Sequence, residues 1–502
     1  MHTQAANQES TFPSGEHFDV VIIGAGLSGI CTARHLQEKC PQKRFVILEA
    51  RNAMGGTWDL FRYPGVRSDS DAFTLGYSFK PWKQREAIAS ASSILEYLKE
   101  AARESGIDRH VRYGHQVSRA TWSTSDAKWM VEAAVPATGE VVRLQCNFLV
   151  ACAGYYSYES GYTPELKGRD DFRGEILHPQ TWPQDLDYQD KKIIVIGSGA
   201  TSMTLVPALA EKAAHVVLLQ RSPTYVVSLP QVDRIANFLR KILPAKLAHS
   251  LTRWKNVLIQ QFYYRRMRKY PEEAKKKILD LIRDQLGQDY DVEKHFAPSY
   301  NPWDQRLCIV PDNDLFDAIR REKVAMVTDS IEHFTETGIR LQSGETLEAD
   351  LIVTATGLNL LMLGGMELVV DGEVVDLPQT FTYRGLMFSD VPNLIATYGY
   401  VNASWTLRVE LIAEYLCRVL RHLEQRGYRQ CTPRLREEDQ GMLGGPFVDG
   451  FTPGYVQRSE HLFPRQGDHA PWTNPQDYSY EKQAFRNDPL EDGALILSNP
   501  ED

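Results

Sequence analysis

Gly24, Gly26 and Gly29 in VVIIGAGLSG, and Gly197 and Gly199 with Ser202 in IIVIGSGATS, are two sets of small residues spaced to receive a pyrophosphate. The first glycine allows a tight strand-to-helix turn, the second lets backbone approach phosphate, and the third small residue lets the helix pack on the strand. Phosphate charge then meets unsatisfied N–H groups at the helix start. Either set alone also describes an ordinary glycine turn. Two together read as a chain that passes electrons between two dinucleotides.

The strand after each turn ends differently. Glu49 closes RFVILEA, where a carboxylate can accept both hydroxyls of an adenosine ribose and would repel a 2′-phosphate, so FAD or NAD fits the first site. HVVLLQRSPT instead ends on Gln220 and Arg221, followed by Ser222 and Thr224; a cation and hydroxyls suit the 2′-phosphate of NADPH. The plain alternative for Arg221 is a solvated surface arginine. After the first unit, GGTWDLFRYPGVRSDSD brings Gly55, Gly56, Thr57, Trp58 and Asp69, a mixture suited to a flavin. From the residues alone, Trp58 reads equally as core and Asp69 as a loop cap.

The elements that must hold these groups are β-α-β units. A β-branched run from Phe18 to Ile23, a helix in SGICTARHLQEK and a strand in RFVILEA make the first. IIVIGSG, TSMTLVPALAEKA and HVVLLQR make the second, and ADLIVTATG adds a later buried strand. Ser93 to Ser105 reads as an amphipathic helix, with strands in WMVEAAV and VVRLQCNFLVACAG. The expected fold is α/β, two Rossmann-like domains with a helical insertion at about 230–295 in the second. The division expected is 1–160 for the first part of the flavin domain, 161–345 for the NADPH domain, and 346–502 for the rest of the flavin domain and a C-terminal arm. That arm, rich in proline, glycine and charge, reads as irregular, packed along the body and mobile in its last residues. The basic, helically spaced insertion has two readings: a cover packed on the nucleotide domains that helps enclose substrate, or a helix lying on an anionic membrane surface.

Composition narrows the function. With 502 residues, 43% hydrophobic and a formal net charge of -9, the chain can build large cores and lacks the basic surface of a general nucleic-acid binder. No run approaches the roughly 20 apolar residues of a membrane span. The seven cysteines are scattered without a CxxC pair, which fits a reducing cytoplasm and removes the commonest disulfide-reductase route. Histidines do not cluster at ligand spacing and HExxH is absent, so no metal is expected.

Between the units stands FRGEILHPQTWP, in which Phe172, Gly174, His178 and Trp182 match FxGxxxHxxxW. With GGTWDLFRYPGVRSDSD, YNPWDQRLCIVPDNDLFDAIR, ADLIVTATGLNL, GYVNASWTL and FTPGYVQRS, the chain resembles the Baeyer-Villiger monooxygenases, and among them the ethionamide-activating subgroup, over all but its ends. The resemblance implies FAD held by Gly24, Gly26, Gly29, Glu49, Gly56, Thr57, Trp58, Asp69 and Val117, and NADPH held by Gly197, Gly199, Ala200, Thr201, Ser202 and Arg221. It implies Arg306 and Asp69 as the catalytic pair, with Asp69 orienting Arg306 through a charge-assisted hydrogen bond. Phe172, Gly174, His178 and Trp182 are implied to couple the domains. The implied reaction uses molecular oxygen through a C4a-peroxyflavin to turn a small apolar ketone into an ester or lactone, or a thioether into a sulfoxide. The short WDQRLCIVPDNDLF segment departs from the longer tyrosine-rich sequence of many cyclic-ketone enzymes. Three other readings stand beside this one: an N- or S-oxygenating flavin enzyme with little ketone activity, an NADPH:acceptor oxidoreductase, and an inactive nucleotide-binding protein.

Overall fold

The computed structural model describes residues 15–500. Two sheets organise them. In the first, Val111–Tyr113, Phe45–Glu49, Glu16–Ile23 and Glu140–Ala151 lie side by side in parallel, and Lys128–Val135, Gln116–Ser123 and Glu367–Val370 extend the order. Val20 pairs with Phe45 on one side and Phe148 on the other. FVILE in Phe45–Glu49 is buried at every position, which is why that strand reads as a continuous apolar run rather than an alternation. One sheet face packs Ile30, Ala33 and Leu36 of helix Leu27–Lys39 together with Ile412 and Leu416 of helix Trp405–Arg426. The other carries Trp122, Trp129 and Leu149.

The second sheet runs Val324–Thr328, His215–Gln220, Lys192–Ile196, Leu351–Thr354, Glu175–Leu177, all parallel. Met203, Leu205 and Leu209 of helix Ala200–Ala210 cover one face, and Phe172, Phe334 and Leu341 cover the other. Each glycine turn therefore sits at the carboxyl end of a central parallel strand, where α/β sheets bind ligands.

Arg234–Ile242, Ala245–Lys269, Pro271–Leu286 and Val292–Phe296 form the insertion. It does not belong to the second unit alone. Ile278, Ile282 and Phe296 enter the core of the second sheet, whereas Ala236 enters that of the first. Helix Ala245–Lys269 is tied to the first unit by Arg253, which pairs with Glu410 and donates to the Thr74 carbonyl at 3.2 Å. Asn256 also donates to Asp71 at 2.8 Å.

The C-terminal arm is more regular than its composition suggests. Leu495–Ser498 pairs antiparallel with Gln430–Pro433, and the last two residues lie outside the described ones. Helix Tyr478–Asn487 docks on Trp405–Arg426, with Glu481 2.8 Å from Arg408 and both side chains out of solvent. Turn residues dominate the composition, while a few apolar anchors such as Trp472, fully buried, set the path.

Candidate functional site

The first glycine loop is built by close approach. Gly24 has φ +100°, and a Cβ there would lie 2.7 Å from the Cys152 carbonyl oxygen. A Cβ on Gly29 would lie 1.9 Å from the Gly24 carbonyl oxygen, closer than any atom pair tolerates. Gly26 caps the helix without a side chain, and its backbone faces that of Gly56, where a Cβ would come within 3.2 Å of the Gly26 Cα. The two loops leave a bare backbone cradle beside a helix start, which fits a pyrophosphate.

Glu49 borders this cradle. Its two oxygens accept from the Ala25 and Arg51 backbone N–H groups at 2.8 and 2.9 Å, and each keeps lone pairs for a ribose hydroxyl. Burial raises its pKa against the pull of those donors. Val117 lies buried in strand Gln116–Ser123, two residues after His115, whose N–H donates to the Glu49 carbonyl at 2.9 Å. Thr57 hydrogen-bonds the Tyr158 hydroxyl, and Trp58 packs half-buried against the core of the first unit.

The second loop repeats the turn with a more open rim. A Cβ on Gly197 would lie 2.3 Å from the Ala355 carbonyl oxygen, whereas one on Gly199 would meet nothing within 4 Å. Ala200 opens the helix and Ser202 is buried with its hydroxyl unpartnered. Two polar residues at the strand end face elsewhere. Gln220 donates to the His295 carbonyl at 2.8 Å and to Thr328 at 2.9 Å, and Thr224 is buried against the Tyr300 hydroxyl at 2.9 Å. Gln220 thus ties the strand end to the insertion, and Thr224 to the loop that follows it. Arg221 is exposed and makes no ion pair among the described residues.

A seam joins the two loops. Tyr63, in the segment after the first cradle, hydrogen-bonds Thr201 in the second. Arg67 pairs with Asp314 at 2.7 Å and donates to the Met203 carbonyl at 3.3 Å. A cleft of about 710 Å³ opens beside it, lined by Trp58, Phe61 and Arg67 from one side and Gln231 and Pro311 from the other. Asp69 and Arg306 lie within electrostatic reach of one another at this seam, and Tyr155, Tyr156 and Tyr455 lie within reach of Arg306. Burial raises the Asp69 pKa, and the Arg306 and Arg67 charges oppose that rise. Burial also works against the Arg306 charge, but Asp69 and the three tyrosines outweigh it and the guanidinium is held cationic. Tyr155 rings pack 5.4 Å from Trp405, whose indole N–H donates to Ser28 at the first helix start.

One expected contact differs. No hydrogen bond or ion pair joins Asp69 to Arg306, so the coupling is through space and the five N–H donors of Arg306 remain unused by the described residues. A guanidinium kept from its carboxylate is available to a ligand.

The FxGxxxHxxxW residues divide the work between packing and tethering. Phe172 enters one core of the second sheet and Trp182 the other, edge-on to Tyr188 at 6.2 Å. A Cβ on Gly174 would lie 2.6 Å from the Asp350 carbonyl oxygen. His178 accepts from the Gln180 N–H at Nδ1, so Nε2 carries the proton and donates to the Gly357 carbonyl at 3.0 Å. Gly357 immediately precedes Leu358–Leu360, which pairs antiparallel with Tyr156–Gly161, and these are the two crossings between the units. Burial lowers the His178 pKa, the Gly357 bond opposing. The sign follows: the folded state keeps His178 neutral while the unfolded chain takes a proton below about pH 6.5. Its contribution is present above that value and is lost on acidification. Thermal midpoints measured between about pH 7 and pH 5 should therefore fall less steeply for His178→Gln than for the parent, and equal slopes would remove His178 from the linkage.

Tyr155, Tyr156 and Tyr455 were not legible as neighbours of Arg306. They stand in ACAGYYSY and FTPGYV, far apart in the chain, and only the glycine beside each hinted at a turn near ligand. Nor did spacing show that Cys31, His35 and Glu410 come within 4.8 Å of one another. Glu410 there is already engaged by the Ser78 N–H and by Arg253, whose charge opposes a second cation. All seven cysteines are buried and unpaired.

Known proteins share this architecture. The steroid monooxygenase structure described as oxidised and bound to NADP superposes with TM-score 0.75 at 22% identity, covering 96% of this chain and 100% of that one. The FAD-containing monooxygenase EthA of Mycolicibacterium smegmatis (strain ATCC 700084 / mc(2)155) is 50% identical over 481 residues, 96% of this chain and 97% of the relative. EthA of Mycobacterium tuberculosis (strain ATCC 25618 / H37Rv) is 52% identical over the same coverage. The family model described as flavin-binding monooxygenase-like matches residues 18–364. With both glycine loops, the linker fingerprint and the seam between them lying within or beside that span, the chain belongs to the flavin-binding monooxygenase-like family.

Proposed function

We propose that the protein is an FAD-dependent, NADPH-consuming Baeyer-Villiger monooxygenase that converts small apolar ketones to esters or lactones and also oxidises thioethers. The observation that carries this reading is Arg306: a half-buried guanidinium at the seam of two dinucleotide loops, within electrostatic reach of Asp69 but not bonded to it. Bound FAD would carry electrons from NADPH to dioxygen, chemistry no side chain supplies. Ketone, dioxygen, NADPH and a proton then become ester, NADP+ and water.

The residues' part is electrostatic and steric. The first cradle and Glu49 would hold the flavin nucleotide and the second cradle NADPH. Arg306, cationic at any working pH, would stabilise the negative charge that develops on oxygen and on the attacked carbonyl. Asp69 keeps that cation at the seam without neutralising it by contact. Arg306 is half-buried, so a ligand can reach it.

Arg221 is the residue we assign to the 2′-phosphate, because it is exposed at the strand end and free of other partners. Arg221→Ala should raise the NADPH KM by about tenfold, the loss of a charge-assisted contact, with NADH kinetics little changed. An unchanged ratio of NADPH to NADH efficiency would remove that role. The reaction itself is tested by product analysis of matched ketones and thioethers. Ester from the ketone supports the proposal; sulfoxide alone points to the N- or S-oxygenating reading.

A further inference from the structure

Helix Ala245–Lys269 is amphipathic in the wrong sense for a helix facing water. Its buried side carries His249, Thr252 and Arg253, with only Ala248 and Val257 as apolar partners. Its outward side carries Leu247, Leu251, Trp254, Leu258 and Phe262, spaced by three or four residues and all exposed. The preceding helix, Arg234–Ile242, adds a parallel outward row of Ile235, Phe238 and Ile242. Trp254 is 64% and Phe262 62% exposed, and more than half of the exposed large apolar side chains among the described residues lie between 235 and 270. Scattered exposed leucines need no explanation, but a row continuous over two helices does.

Charge identifies what covers it. Between Arg234 and Tyr270 there are ten lysines and arginines and no aspartate or glutamate, in a chain whose net charge is -9; five of the ten, Arg253, Lys255, Arg265, Arg266 and Arg268, pair with carboxylates outside the stretch. Arg234, Lys241 and Lys246, at the edge and turn of the hairpin, are exposed and make no ion pair among the described residues. A second copy docked by a two-fold axis would set this basic stretch against itself. An anionic lipid surface meets both features, taking the apolar row among acyl chains and the cations among headgroups. No helix of the described residues is long and apolar enough to cross a membrane, so the geometry is one of lying on the surface.

We infer that the hairpin Arg234–Lys269 seats the protein on anionic lipid bilayers. The inward end of the same helix reaches the seam: Tyr264 packs edge-on to Trp303 at 5.3 Å and Arg268 pairs with Asp304, two residues before Arg306. The binding claim stands apart from the reaction, because its readout is lipid binding and not turnover.

The test is flotation of the full chain with vesicles of phosphatidylcholine alone or with about one third phosphatidylglycerol, at low and high salt. The parent should float with the anionic vesicles at low salt, at least about tenfold more tightly than with the neutral ones. The double change Trp254→Glu with Phe262→Glu, at outward positions, should weaken that binding by at least about tenfold while circular dichroism and thermal midpoint stay at parent values. Lys241→Ser with Lys246→Ser should lose most of the anionic preference. Failure of the parent to float, or equal flotation of the glutamate variant, would overturn the inference. So would a parent that binds no vesicle and is multimeric until the glutamates make it monomeric, which would give the face to a second copy.

Discussion

Replacing Arg306 by alanine is expected to leave the flavin bound and NADPH consumed while ester formation falls by about 10²–10³-fold, the cost of removing a positioned charge from a developing oxyanion. The reason the flavin should survive is structural. Arg306 donates to no described residue, so its removal orphans no protein acceptor, and Asp69 keeps the Arg67 charge while losing that of Arg306, which lets its pKa rise further. Electrons that no longer reach substrate should appear as hydrogen peroxide, so the ratio of NADPH oxidised to ester formed separates this role from a merely structural one. Arg306→Lys keeps the charge but not the planar fork and should recover only part of the loss. Near-normal ester turnover in the alanine variant would defeat the assignment.

The glycine loops make the second large prediction, because two glycines in equivalent motifs should fail in different ways. A methyl on Gly29 would sit 1.9 Å from the Gly24 carbonyl oxygen, backbone against backbone, so Gly29→Ala must move the helix off the strand. Overpacking of that kind typically costs about 1–3 kcal/mol or more, and the cradle it distorts is the one assigned to FAD. We expect purified Gly29→Ala to be largely flavin-free with a lowered thermal midpoint. Gly199→Ala meets nothing within 4 Å, so the protein alone should tolerate it. Its midpoint should match the parent, and the NADPH KM should rise because the methyl would occupy the space a pyrophosphate needs. Equal NADPH kinetics in Gly199→Ala would move the nucleotide elsewhere; parent-like flavin content in Gly29→Ala would do the same for the first site.

How much of this could be read from residues follows from range. Local patterns carried the glycine turns, the strand ends and the helices between them, since each depends on neighbours a few residues away: Gly24 to Glu49 and Gly197 to Gln220 fold as the β-α-β units their spacing implies. What spacing could not carry was direction. Gln220 and Thr224 stand at the expected strand end, yet Gln220 turns to the His295 carbonyl in the insertion and Thr224 to Tyr300 in the loop that follows it. The amphipathic period of Ala245–Lys269 announced a helix without saying which face was inside, and the polar face proved to be the buried one. Asp69 and Arg306 were paired by resemblance, and they lie within electrostatic reach without the charge-assisted hydrogen bond that went with it. The tyrosines within reach of Arg306 are residues 155, 156 and 455, a separation no local pattern spans.

The half-buried tether at His178 is one of several contacts that hold the two units together. Leu358–Leu360 and Tyr156–Gly161 pair as the crossings, His178 locks the pair, and the insertion packs on both units. Any opening at the seam must break some of these contacts.

The central claim is that electrons from NADPH are used at the Arg306 seam to insert one atom of dioxygen into a ketone. It is tested most directly by running the purified, flavin-loaded protein with NADPH and a simple aryl or linear ketone under labelled dioxygen, then weighing the product. The account predicts an ester carrying one labelled oxygen atom, formed in step with NADPH consumed. Ketone recovered unchanged while all the NADPH oxidised reduces dioxygen to hydrogen peroxide, or an ester whose new oxygen comes from water, would contradict it.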